Sequence, residues 1–165
     1  MEDRRFVFAY LPKVACTNWK SLLRHMAGED DWQNPHRAHS KQTAGLRYLN
    51  LDSDVDIAVL HDTSIRKYTM GRDPYSRTLS GDLNKVEIRL PGKAEVEGED
   101  HFRKVVRDIE QYRTENLDEA TYPGSTVEVF LLWLRDSGSR FTHDEHWALQ
   151  SKILQYPDIY FDHIG

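Results

Sequence analysis

Phe6-Val-Phe-Ala-Tyr-Leu-Pro-Lys-Val-Ala-Cys-Thr-Asn-Trp19 is the stretch that decides the fold. Its first five residues are apolar and rich in β-formers, as a short buried strand requires. Leu11-Pro12 ends that run. Beyond it Trp19, Leu22, Leu23 and Met26 recur at helical spacing, with Thr17 or Asn18 placed to cap the helix. A loop that leaves a strand and enters a helix aims backbone N–H groups and the positive helix end at one spot, and such a spot holds phosphate or sulfate. Lys13 adds a full charge there, and Thr17 and Asn18 add donors. The G-x-x-x-x-G-K-[ST] pattern of ATP and GTP sites is absent, which argues against a standard nucleoside triphosphate.

Working outward, strands and helices alternate. Residues 30–45 read as a polar loop carrying His36 and His39, and residues 54–62 as a short helix. Lys67-Tyr-Thr-Met-Gly71 is a second strand candidate. It runs into Arg72-Asp-Pro-Tyr-Ser-Arg-Thr-Leu-Ser80, where Pro74 fits the first turn of a helix reaching about Val86. Residues 87–98 read as an exposed loop. Phe102, Val105, Val106, Ile109 and Tyr112 share one face of a helix over 100–113. Thr126 to Leu134 form a strongly apolar helix, and 158–164 alternate as a last strand. The pattern predicts an α/β layer fold with a parallel sheet.

The chain has 165 residues, of which 39% are hydrophobic and 30% charged, enough for one domain over 1–165. No apolar run approaches the roughly 20 residues of a membrane helix. Phe6 to Leu11 is too short an apolar stretch for a signal peptide. Net charge is −5, which argues against a nucleic-acid partner. The balance is uneven: residues 1–92 carry 14 Lys and Arg against 12 Asp and Glu, whereas 93–165 carry 8 against 15. The split reads either as a solvated acidic surface on the second half or as a first half that holds an anion. Cys16 is a single cysteine, and the expected location is cytoplasmic.

Arg72 closes the second strand candidate, and Ser80 lies two turns into the helix that follows; an arginine fork and a hydroxyl together grip a terminal phosphate. Pro12 to Lys20 reads P-K-V-A-C-T-N-W-K. Arg72, Asp73, Pro74, Tyr75, Arg77, Ser80, Asn84 and Lys85 fit R-[DE]-P-[FY]-x-R-L-V-S-A-Y-R-[ND]-K in register. Glu145-His-Trp147 and Tyr160-Phe-Asp-His-Ile-Gly165 form a third, weaker block. In this order, over nearly the whole chain, the blocks resemble the carbohydrate sulfotransferases of the chondroitin 4-O-sulfotransferase and HNK-1 sulfotransferase type.

The resemblance implies a P-loop-like three-layer α/β fold with a small central parallel sheet flanked by helices. It implies the donor 3′-phosphoadenosine 5′-phosphosulfate and a hydroxyl-bearing acceptor of carbohydrate type; no metal is needed if Lys13, Arg72 and helix ends supply the positive charge. By carry-over, Pro12, Lys13, Val14, Ala15, Cys16, Thr17, Asn18 and Trp19 line the 5′-phosphosulfate site, and Arg72 and Ser80 bind the 3′-phosphate. The chain also departs from the family. Thr78-Leu79 stands for Leu-Val and Gly81-Asp82-Leu83 for Ala-Tyr-Arg; after Trp147 the residues that follow include no cysteine where the family has a pair, and the expectation is a member shorter than the family and without its Golgi anchor. These departures keep open a second reading, a non-catalytic or degenerate nucleotide-binding member.

Sulfuryl transfer is an in-line displacement, so catalysis is positioning plus neutralisation of the leaving phosphate. Lys13 is the candidate for that charge. An acceptor hydroxyl needs a base that titrates near neutrality, which suits histidine. Of eight histidines, His39 is favoured, because related carbohydrate sulfotransferases carry a histidine between the two donor motifs; His36 is its alternate. His146 fits a packing role with Trp147 equally well. His36 with His39, and His143 with His146, each offer two metal ligands at i, i+3 without an identifiable third. Cys16 reads as a small side chain packed under the loop and Trp19 as a packing residue.

Overall fold

The computed structural model describes residues 5–42, 44–90, 100–138 and 144–165. They fall into two compact units, Met1–Gly71 with Gln150–Gly165, and Arg72–Leu149. The architecture is mixed α/β with a small parallel sheet.

The first unit holds β1 (Phe6–Ala9), α1 (Cys16–Met26), α2 (Pro35–His39), α3 (Asp54–His61) and β2 (Arg66–Thr69). The second holds α4 (Pro74–Gly81), α5 (Asp100–Asn116) and α6 (Val127–Ser137); α7 (Gln150–Ile153) and β3 (His163–Ile164) return to the first. The sheet order is β1-β2-β3, all parallel, with Phe6 opposite Arg66, Ala9 opposite Thr69 and Tyr68 opposite His163.

Two expectations for the first unit need correction. The polar loop over 30–45 contains α2: the Asn34 side chain accepts the N–H groups of His36 (3.0 Å) and Arg37 (3.4 Å), and Pro35 opens the helix. These are local helix-start signals. The last strand is shorter than the alternation over 158–164 implies, because the Ile159 N–H bonds back to the Gln155 carbonyl at 3.1 Å. Asp162 then ties the chain to β2, accepting the Lys67 N–H at 2.9 Å and Arg66 Nη1 at 2.7 Å.

The units bury different chemistry. In the second, Val86, Phe102, Ile109, Phe130, Trp133 and Trp147 are part of one apolar cluster. Helix α6 contributes most to it, with Thr126 as its cap and Gly138 closing it at φ 66°. In the first unit Leu11, Val14, Ala38, Ala44 and Phe161 are buried, and so are the cations Lys20, Arg24 and Lys67. A buried cation must be fully hydrogen-bonded or stacked. Lys67 Nζ donates to the carbonyls of Asp62 (2.8 Å) and Ile65 (3.0 Å), and Lys20 Nζ sits 3.7 Å above the centroid of the Tyr10 ring.

Helix α4 ends earlier than expected. It passes at Asp82 into a π-helical turn over Asp82–Val86 and a 3-10 turn over Glu87–Arg89, inside the stretch expected as loop; residues 91–98 of that stretch lie outside the described residues. Among the described residues no helix is long and apolar enough to cross a membrane.

Candidate functional site

The loop between β1 and α1 is built by its backbone. Lys13 (φ 65°) and Ala15 (φ 50°) both adopt the left-handed conformation without being glycine. Each such residue costs about 1–2 kcal/mol, which the buried neighbours Leu11, Pro12 and Val14 must offset. Helix α1 begins at Cys16, earlier than a Thr17 or Asn18 cap implies, and Ala15 caps it with no side-chain hydrogen bond. The first-turn N–H groups of such a helix have no intrahelical acceptor, which makes them available to an anion. Cys16 is half-buried and Asn18 exposed. Trp19 packs on Phe8 with ring centroids 5.3 Å apart, and with Leu22, Leu23 and Met26 it lines an apolar groove of about 440 Å³ against the sheet.

Thr17 is inside the helix, and its hydroxyl meets a tertiary partner. Thr17 Oγ1 lies 2.8 Å from His39 Nε2, across 22 positions of sequence. In the tautomer protonated at Nδ1, Nε2 accepts the hydroxyl hydrogen. His39 is exposed at the end of α2. His36, one turn earlier, is also exposed, and among the described residues its ring meets no partner. The structure therefore sets His39 beside the loop and not His36.

Arg24, on α1 and 0% exposed, was invisible as a site element in the sequence. Its Nη1 donates to the Ala44 carbonyl at 2.7 Å, and its Nη2 to the Asp31 carbonyl at 3.2 Å and to Asp31 Oδ1. The helix that presents Thr17 thus also grips both ends of the segment that presents His39.

In the second unit Arg72 and Ser80 do come together. They line a pocket of about 430 Å³ with Ser76, Leu79, Leu83 and Asn84. Asp73 caps α4 by accepting the Ser76 N–H at 2.8 Å. The Ser76 hydrogen bonds, helped by the Arg72 charge, hold the Asp73 carboxyl below its ordinary range. An arginine, two hydroxyls and an amide around an open pocket form a site for an anionic group.

The sequence pattern described as the Sulfotransferase family matches residues 1–165. The chain belongs to the Sulfotransferase family. Among curated proteins it is similar to carbohydrate sulfotransferase 11 of Rattus norvegicus, 28% identical over 172 residues that cover 99% of this chain and 47% of that one. It is similar to carbohydrate sulfotransferase 14 of Homo sapiens, 28% identical over 177 residues covering 100% and 41%. It is also similar to carbohydrate sulfotransferase 8 of Homo sapiens, 28% identical over 169 residues covering 100% and 38%. The chain spans less than half the length of these relatives. No solved structure gives a significant match.

The remaining sulfotransferase-like blocks serve the architecture. Arg77, 2% exposed, donates from Nη1 to the Ala148 carbonyl at 2.7 Å and from Nη2 to the Glu145 carbonyl. This seats the Glu145-His-Trp147 block on α4. A Cβ at Gly81 would lie 3.2 Å from the His146 carbonyl oxygen, so glycine here permits the close approach. His146 Nδ1 is bonded to Asp144, whose other oxygen lies 3.3 Å from His101 Nε2. Burial opposes the Asp144 charge, but the hydrogen bonds of His146 and His101 prevail and hold its carboxyl below the ordinary range. Asp82, also buried, behaves oppositely: desolvation, and then repulsion from Glu87, push its carboxyl up to about 6. His143 lies outside the described residues. Among the described residues no group of three or more His, Cys, Asp or Glu is arranged to hold a metal ion.

Proposed function

We propose that the chain transfers a sulfuryl group from 3′-phosphoadenosine 5′-phosphosulfate to a hydroxyl of a carbohydrate or related acceptor, on a P-loop-like fold. The observation that carries this reading is the 2.8 Å contact between Thr17 of the anion loop and His39. The contact supports pairing His39, as a proton acceptor, with a loop that holds the phosphosulfate. Family membership and the names of the relatives support the chemistry.

In this reading Lys13 and the N–H groups from Ala15 to Asn18 hold the phosphosulfate, with Pro12, Val14 and Trp19 shaping the loop. Arg72 and Ser80 hold the 3′-phosphate. His39 takes the acceptor hydroxyl proton as the acceptor oxygen bonds to sulfur. The bond from sulfur to the bridging oxygen breaks with its electron pair, and Lys13 neutralises the charge that develops on the leaving 5′-phosphate. His36 is the second candidate for the base.

Adenosine 3′,5′-bisphosphate tests the donor assignment. At millimolar concentration it should raise the melting temperature, adenosine 5′-monophosphate should do so less, and Arg72→Ala should erase the difference. No shift with either nucleotide would contradict the assignment. A second reading, binding without transfer, draws on Leu83, which lines the Arg72 pocket where the family motif has arginine. Donor turnover assayed over a panel of glycans and small alcohols separates the two.

A further inference from the structure

We infer that Asp31 is a positioning residue for His39, acting through a bridge of two arginines that fixes α2 against the anion loop. The inference deepens the proposed function and rests on His39 being the base. Helix α2 has five residues, too few to be stable or oriented by itself. What orients it lies outside it. One Asp31 oxygen accepts from Arg24 Nη2, and the other is ion-paired with Arg37, its Oδ2 lying 2.8 Å from Arg37 Nε. Arg24 is fully buried in α1, whereas Arg37 lies in α2 two residues before His39. Asp31 is therefore the joint between the helix that carries Thr17 and the helix that carries His39.

The joint has supporting contacts. Arg24 Nη1 holds the Ala44 carbonyl at 2.7 Å on the far side of α2, so one guanidinium closes both ends of the segment. Ala38, between Arg37 and His39, is 0% exposed, and its carbonyl accepts from the Tyr48 hydroxyl at 3.5 Å. A carboxylate hydrogen-bonded to one guanidinium and ion-paired with a second ties the helix of Thr17 to the helix of His39. That matters because a base misplaced by about 1 Å loses on the order of 10²-fold in rate.

Asp31→Asn keeps the shape and removes the charge. It should lower kcat about 10- to 100-fold, while the KM for donor and the Kd for adenosine 3′,5′-bisphosphate stay within about twofold. Arg37→Ala should act in the same direction, and Arg37→Lys should restore part of the loss. Because Asp31 acts through His39, Asp31→Asn combined with His39→Ala should be no slower than His39→Ala alone. An NMR titration supplies a readout independent of turnover: the His39 ring signals should move in Asp31→Asn while those of His146 stay. Wild-type kcat in Asp31→Asn, additive losses in the double variant, or unmoved His39 signals would overturn the inference. Full transfer by His39→Ala would instead overturn the assignment of the base, and the ring signals would still decide whether Asp31 positions His39.

Discussion

Arg24 and Arg77 invite comparison. Arg24 lies on α1 and Arg77 on α4, each is buried, and each donates to two backbone carbonyls of another segment. Each segment carries a histidine, His39 in one unit and His146 in the other. The likeness ends at the partners. Arg24 also meets the carboxylate of Asp31, and the segment it holds leaves His39 exposed and against Thr17. Arg77 donates to the carbonyls of Ala148 and Glu145; burial pushes its pKa down, partly opposed by the charges of Glu145 and Asp144. His146 is half-buried, bonded to Asp144, and edge-on to Phe102 with centroids 5.4 Å apart. One clamp presents a histidine to a loop. The other closes an apolar core around one.

If the first clamp serves chemistry, the largest effects belong to its loop. Lys13→Ala should lower kcat about 10³-fold, with the melting temperature nearly unchanged, because the residue sits in an already formed loop. A loss of folding in place of a loss of turnover would erase the contrast between the units. If the second clamp serves the core, Arg77→Ala should cost about 3 kcal/mol of stability by urea unfolding, since it strands the Ala148 and Glu145 carbonyls. Turnover by the folded fraction should change little.

Asp82 gives a smaller test of the second unit. Its carboxyl titrates at about 6 in the fold and near 3.8 when free. Between those values the folded chain keeps a proton that the unfolded chain releases, so this contribution to stability falls as pH rises from about 4 to about 6. Asp82→Asn mimics the protonated form. It should stabilise the protein by about 1–2 kcal/mol at pH 7.5, and the gain should vanish below about pH 4. A stabilisation that persists at pH 3.5 would show that the charge is not the cause.

Much of this was legible in the sequence where the signals are local. The strand–loop–helix around Lys13, the Pro74 helix start and the apolar stripe of α5 each depend on residues within a few positions of one another. The left-handed Lys13 and Ala15 were not legible, because nothing but glycine or asparagine advertises that conformation. Helix α2 was passed over although Asn34-Pro35 announces it, since a five-residue helix carries too few apolar positions to show a period. Arg24 carried no sequence signal, and Arg77 was marked only as part of the family motif. Their burial is set by carbonyls at Ala44 and Ala148, which lie 20 and 71 positions away, and no local rule reaches that far. His39 entered through a family resemblance, and its contact with Thr17 is a tertiary fact.

The most direct test is sulfuryl transfer from 3′-phosphoadenosine 5′-phosphosulfate, measured side by side for the wild type, His39→Ala and His146→Ala, with bisphosphate affinity determined on the same preparations. The account predicts that His39→Ala loses about 10²- to 10⁴-fold in kcat with its bisphosphate affinity intact. It predicts that His146→Ala keeps kcat within about twofold and loses stability instead. Wild-type turnover by His39→Ala, or loss of turnover confined to folded His146→Ala, would contradict it.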